Sequence, residues 1–216
     1  AYAYGVQSSG GTTELTVDTI SVTATGGAGG SGGTAVGSGS AGDAGTRSAE
    51  AKAYGIYAEK NAVVELTAGS AGTIAISAKA DNAQSKETYA VYADNATVLF
   101  HDTATLNGDG SGGTSTAIIT SLNNATLGFG GTAAGRTVTG GTLELKGSNT
   151  FRVNTDLAAG TADKLTFDSL AVGSSTDKQY ITVGYDAALD PYKEGSIEAS
   201  GGTPIDVLEI NNLHGQ

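Results

Sequence analysis

Apolar residues in this chain alternate with small or polar ones in short runs. Ala53-Tyr54-Gly55-Ile56-Tyr57-Ala58 is one run, Val63-Val64-Glu65-Leu66 a second and Thr73-Ile74-Ala75-Ile76 a third. The period is two, that of a strand with one buried face. Stripes at helical spacing and capping boxes are scarce. The pattern therefore predicts short β-strands separated by Gly, Asn, Asp or Ser.

The runs recur. Tyr54-Gly55-Ile56-Tyr57 returns 35 positions later as Tyr89-Ala90-Val91-Tyr92. Thr116-Ala117-Ile118-Ile119 reads as a weaker copy, and Tyr4-Gly5-Val6-Gln7 as a degenerate first one. The second line, Asn61-Ala62-Val63-Val64-Glu65-Leu66, matches Asn95-Ala96-Thr97-Val98-Leu99-Phe100 and Asn124-Ala125-Thr126-Leu127-Gly128-Phe129. Thr13-Glu14-Leu15-Thr16 holds the same place in the first copy. A third line pairs Thr19-Ile20-Ser21-Val22 with Thr73-Ile74-Ala75-Ile76. Three short strands per repeat, stacked repeat on repeat, describe a right-handed parallel β-helix with one aliphatic side chain over the next. Val6, Ile56, Val91 and Ile118 are expected to form one inward column. Burying each such side chain contributes roughly 1.5–3 kcal/mol, so a single repeat gains little and a stack gains a core. The line is repeated because each coil must show its neighbour the same inward face.

Asn61, Asn95 and Asn124 fall where the chain must turn, and Asn tolerates the left-handed backbone. Their side chains form an amide ladder or act as independent turn residues; the spacing fits both. Asn95-Ala96-Thr97 and Asn124-Ala125-Thr126 also match the N-glycosylation pattern, but the repeat already explains the Asn and the Thr. One stretch breaks the rhythm. Gly26 to Gly45 holds 10 Gly in 20 residues and separates Tyr4 from Tyr54 by 50 positions. With so little apolar area to offset ordering entropy, it is expected to project as a loop.

Composition narrows the picture. Of 216 residues, 38% are hydrophobic, 34 are Gly and 2 are Pro, and Trp is absent. Such a chain can fill a narrow aliphatic core but not a broad aromatic one. Collagen is excluded because no three-residue Gly period exists. Cys is absent, which excludes disulfides and thiolate chemistry. A net charge of -11 with scattered basic residues argues against nucleic acid as a partner. No apolar run approaches the roughly 20 residues of a membrane helix. The opening Ala1-Tyr2-Ala3-Tyr4 lies inside a repeat, so the chain is expected to be a piece of a longer protein.

Candidate chemistry is sparse. Gly108-Asp109-Gly110-Ser111-Gly112-Gly113 resembles a serine-nucleophile loop with one Gly inserted, and His101 and His214 are the available bases. A tight turn accounts for it more simply. The same loop hints at a calcium loop through Asn107, Asp109 and Ser111, but the twelfth position is Ile118 where a bidentate Glu is needed. Neither a metal nor a cofactor is expected. Glu14, Glu65 and Glu144 recur as single strand charges rather than the carboxylate cluster of a polysaccharide-cleaving enzyme. An aromatic surface is more telling. With Ile56 and Val91 inward, Tyr57 and Tyr92 point outward, one above the other. Such a stack offers flat apolar area with a polar tip to a sugar or peptide, and it is equally an ordinary cross-strand stabiliser.

From Gly140 the texture changes. Ser148-Asn149-Thr150-Phe151-Arg152-Val153-Asn154-Thr155-Asp156-Leu157 is followed by Ala162-Asp163-Lys164-Leu165, then Tyr180-Ile181-Thr182-Val183, then Pro204-Ile205-Asp206-Val207-Leu208. This series resembles the end of a pertactin-like autotransporter passenger from Gram-negative bacteria. That family has a G-x-F-x-[LV]-x-T-D-L strand, an A-D-K-L segment and a later P-[IVL]-x-[VL]-[LIV] strand in this order. Asn149-Thr150 stands where a Gly is common, and the insertion Asp186–Gly202 departs from the pattern.

The resemblance implies a β-helix exported through the outer membrane and displayed on the cell surface. A linker helix and a β-barrel translocator would lie downstream. Residues 1–140 would be β-helix rungs and residues 141–216 the terminal rungs and an autochaperone-like cap. Phe151, Val153, Leu157, Leu165 and Phe167 are the expected core of that cap, which would cover the open strand edge of the last rung. The implied function is that of an adhesin or self-associating stalk without enzymatic activity. Its partners would be a host glycan, a matrix protein or another copy of the chain. The alternatives are a carbohydrate-active β-helix enzyme and a structural stalk with no ligand.

Overall fold

A computed structural model describes residues 1–32, 45–46, 48–108, 118–156, 159–173, 177–185 and 207–212. The expectations placed on the Gly-rich stretch beyond Gly32, on Asp109 to Ala117, on Leu157 and on His214 lie outside the described residues.

The described residues are all-β. Along the chain run β1 (Tyr2–Ser9), β2 (Thr12–Thr16), β3 (Thr19–Thr25), β4 (Ser48–Glu59), β5 (Val63–Thr67) and β6 (Thr73–Asp81). Next come β7 (Ala83–Asp94), β8 (Thr97–Phe100), β9 (Thr103–Gly108), β10 (Ile119–Asn123), β11 (Thr126–Phe129) and β12 (Thr137–Lys146). The last are β13 (Asn149–Asp156), β14 (Thr161–Ala162), β15 (Lys164–Val172), β16 (Gln179–Tyr185) and β17 (Leu208–Asn212).

Pairing sorts these strands into three columns, each parallel. The first runs β1, β4, β7, β10 and the second half of β12. The second runs β2, β5, β8, β11, β13 and β16. The third runs β3, β6, β9 and the first half of β12. β15 then lies along the whole of β12, with β17 beside its first half. Because β12 passes from the third column to the first, those two columns form one sheet, with the change of partner at Gly140-Gly141. A Cβ on Gly141 would lie 2.7 Å from the Ile118 carbonyl oxygen, so this crossing point is closed to larger residues. Among the described residues the antiparallel exception is the short pair β13·β14. Parallel strands joined by chain that travels round the other columns give a solenoid-like arrangement compatible with a β-helix.

Registers show which sequence alignments hold. Tyr54 faces Tyr89, Ile56 faces Val91 and Tyr57 faces Tyr92. Val64, Val98 and Leu127 follow one another, as do Leu66, Phe100 and Phe129. Two alignments are corrected. Val91 is followed by Thr120, not Ile118. The Asn corner explains it: Asn123 stands opposite Asp94, which places Asn124 beside Asn95 and sets an offset of 29 residues rather than 27. Ile118 is still buried, but it lies just before β10, two residues short of the position that faces Val91. In the third column Ile20 faces Ile76, not Ile74.

Asn61, Asn95 and Asn124 have φ of 62°, 48° and 48°, the left-handed region Asn visits at low cost. Lys60, at φ 57°, is an extra corner residue, which is why the tyrosine lines repeat after 35 residues and the Asn lines after 34. The corners bond through the backbone. Asn61 N donates to Asn95 O at 2.6 Å, Asn95 N to Asn123 O at 2.9 Å and Asn124 N to Lys146 O at 3.2 Å. The side-chain NH2 groups of Asn95 and Asn124 donate sideways, to Asp94 and Asn123, while Asn124 Oδ1 accepts from Ser148 N of the next layer at 3.0 Å.

The core is one narrow apolar cluster between the columns, from Ile20 to Phe167. Phe100, Phe129, Phe151 and Phe167 are its largest fully buried side chains. Val153 and Leu165 are buried with them. Phe151 lies between Leu127 and Ile181, and Leu165 between Val138 and Leu208, so both have strand neighbours on either side.

Asn95→Val should cost about 1–2 kcal/mol by forcing a β-branched residue into the left-handed region, whereas Asn95→Gly should stay within about 0.5 kcal/mol. Phe100→Ala should cost about 3–5 kcal/mol through the cavity it leaves between Leu66 and Phe129. Urea unfolding of the three variants measures both.

Candidate functional site

Where β1, β4 and β7 enter the first column, simple alternation fails. Ala51 and Ala53 are buried, then Gly55 and Ile56 both face inward, and Ala58 follows. A Cβ on Gly55 would sit 2.4 Å from Ile76 Cγ2 and 2.7 Å from the Ala90 carbonyl oxygen. Two consecutive inward positions put the flanking Tyr54 and Tyr57 on the same outer side. The step recurs at Gly5-Val6 and at Ala90-Val91, with inward Ala90 and Val91 both fully buried.

The outcome is a double tyrosine ladder. Tyr57 and Tyr92 stack with ring centroids 5.0 Å apart and planes 3° from parallel. Tyr54 stacks between Tyr4 and Tyr89, at 5.1 and 5.0 Å. The two stacks meet edge to face at 5.2 to 5.8 Å. Offset and edge-to-face pairs contribute about 0.5–1.5 kcal/mol each beyond area burial. Tyr54, at the centre, is 7% exposed, while Tyr4 is 40% exposed. Alternation alone identifies Tyr57 and Tyr92. It sends Tyr54 and Tyr89 inward, and only the paired small and apolar residues after them signal otherwise.

Carboxylates rim the ladder. Tyr89 Oη donates to Glu87 at 2.6 Å and Tyr57 Oη to Glu59 at 3.2 Å, and Tyr2 Oη to Glu50. Lys52 bridges Glu50 at 2.9 Å and Glu87 at 3.1 Å, and the Glu50 bond holds its ammonium well above the ordinary lysine range. Burial pushes the Tyr54 and Tyr57 phenols up to about 12, with the Glu59 charge adding to the latter. Tyr89 is raised further, by burial and its bond to Glu87, and Tyr92 by burial and Asp94. These four phenols are therefore neutral across the physiological range, and Tyr57 and Tyr89 act as donors. Since Tyr54 has a neighbour on each ring face, the ladder's interior offers a ligand ring edges and hydroxyls rather than open faces.

A second constellation, hidden from sequence spacing, closes the corner that leads into β12. Arg136 Nη2 meets the buried Asp163 Oδ2 at 2.7 Å, and Arg136 Nε and backbone N both donate to Oδ1 at 3.0 Å. Arg136 Nη1 donates to the His101 and Gly130 carbonyls, and its guanidinium lies 5.0 Å from the Phe129 ring centroid. Asn154 N donates to Asp163 Oδ2 at 3.0 Å. His101 Nε2 lies 2.8 Å from Glu65 Oε2, and its ring lies against Gly130. Glu65 is thus a paired group rather than a lone strand charge, and Glu144 likewise accepts from Ser121 at 2.7 Å and pairs with Lys146 at 3.1 Å. Every polar atom of the Arg136–Asp163 pair is aimed at protein, which makes it a structural clasp.

Raising pH should test the ladder. A phenol whose folded pKa exceeds its unfolded value stabilises fully below the unfolded pKa near 10, and the gain is lost as pH climbs to the folded value. Absorbance titration should show Tyr54 and Tyr57 ionising near pH 12, with urea midpoints falling from pH 10 upward. Asp163→Ala should cost about 3–5 kcal/mol, because it strands a buried guanidinium; the denaturation midpoint reports it. Compared with known proteins, the chain matches no family model, no curated protein and no solved structure.

Proposed function

We propose that this chain is a rigid, non-enzymatic display stalk from a bacterial autotransporter passenger, a right-handed β-helix carried outside the outer membrane. Its role would be adhesion to a host glycan or matrix protein, or association with another copy of itself. The observation that carries the binding reading is the outward tyrosine ladder rimmed by Glu50, Glu59, Glu87 and Lys52. Phenol hydroxyls and carboxylates set at strand spacing present regular donors and acceptors beside apolar ring edges, the mix that amphipathic polymers such as glycans use. The order of motifs from Gly140 to Ile210 supports the passenger reading.

A stalk with no ligand on this face is favoured by one observation: the inner rings cover one another. A binding screen of the folded chain against glycan and matrix-protein arrays decides between the two. Under the adhesive reading the parent binds, and the Tyr57→Ala, Tyr92→Ala variant, with its melting transition intact, loses at least about tenfold in affinity, the scale of one buried aromatic contact. Silence from a folded parent, together with a monomeric sedimentation profile, would leave the stalk alone standing.

A further inference from the structure

We propose that Tyr57 and Tyr92 form a site of oxidative cross-linking, at which a one-electron oxidant joins the two rings into an intramolecular dityrosine that staples β4 to β7. This goes beyond any binding role of the same face.

Geometry carries the proposal. Dityrosine needs two phenoxyl radicals whose ortho carbons meet. Tyr57 and Tyr92 are direct strand partners, with parallel rings 5.0 Å apart. The edge-to-face pairs, such as Tyr54 with Tyr92 at 84°, set an edge against a face and do not bring like carbons together. Tyr54 is stacked as well, but at 7% exposure it is withdrawn from an oxidant, whereas Tyr57 and Tyr92 are both partly exposed. Holding the rings in place makes coupling intramolecular, which outruns encounters between dilute molecules.

The surroundings supply the proton acceptors. A neutral phenol loses its electron readily only if its proton leaves too. Tyr57 Oη already donates to Glu59, and Tyr92, partly exposed, can pass its proton to water. Each ring gives up one electron and its phenolic proton. The two radicals pair in one carbon–carbon bond between ortho carbons, and the two ortho hydrogens leave as protons while the oxygens regain theirs. The net loss is two electrons and two protons. With a haem peroxidase as catalyst, one hydrogen peroxide takes up both and becomes two waters.

The test treats the dilute, folded 216-residue chain with a haem peroxidase and limiting hydrogen peroxide. The expected product is a monomer lighter by two hydrogens, with dityrosine fluorescence. Its peptide map should join the segment holding Tyr57 to the segment holding Tyr92. Tyr57→Phe and Tyr92→Phe keep the ring and the stack, and each should lower intramolecular dityrosine about tenfold, as loss of a positioned reactant does. The parent's peptide map decides by itself if either variant melts early. Only intermolecular links, a link mapped to other tyrosines, or no link in the folded parent would each overturn the proposal.

Discussion

Parallel strands in register place each residue directly beside its counterpart in the next layer, about 4.7–4.9 Å away, and everything else in this structure follows from that spacing. Inside, Leu66 meets Phe100 and Phe100 meets Phe129, so one aliphatic or aromatic line fills the gap between the columns. No single layer has enough apolar area to fold alone. The same spacing governs the corners. Asn61, Asn95 and Asn124 share a left-handed conformation because each must pass its backbone bond to the next corner down.

Outside, the spacing turns repeated tyrosines into ladders. Rings of the first column stack nearly parallel because their strands do, and a second stack fits edge to face against the first because the inward step at Gly55-Ile56 brings residues three apart to one side. The ladder and its carboxylate rim are thus by-products of the core's own repeat, raised to a surface feature. That shared origin explains why the face stabilises the coil and exposes chemistry together.

The clasp of Arg136 and Asp163 solves a different problem. Between β11 and β12 the repeat lapses, and the carbonyls of His101, Gly130 and Ala133 need donors. One guanidinium serves all three and is neutralised by a carboxylate that also binds Asn154 N. A buried pair of this kind adds little net stability but is costly to break, so it holds one arrangement of the corner against others.

The sequence by itself determined the strands, the repeat, the Asn corners and the outward pair Tyr57 and Tyr92, because a period of two and a recurring Asn are local signals that survive without tertiary context. It also contained the information for the right register at Thr120, since Asn95 and Asn124 stand 29 apart, although the apolar Ile118 pointed two residues astray. Only the tertiary structure decided that Tyr54 and Tyr89 join the outer face. That depends on how close Ile76 and the Ala90 carbonyl come to Gly55, which no alternation pattern records. It alone brought Arg136 to Asp163 and His101 to Glu65, across 27 and 36 residues. Such pairs are set by the length of each layer, and layer length here varies with a single corner residue such as Lys60.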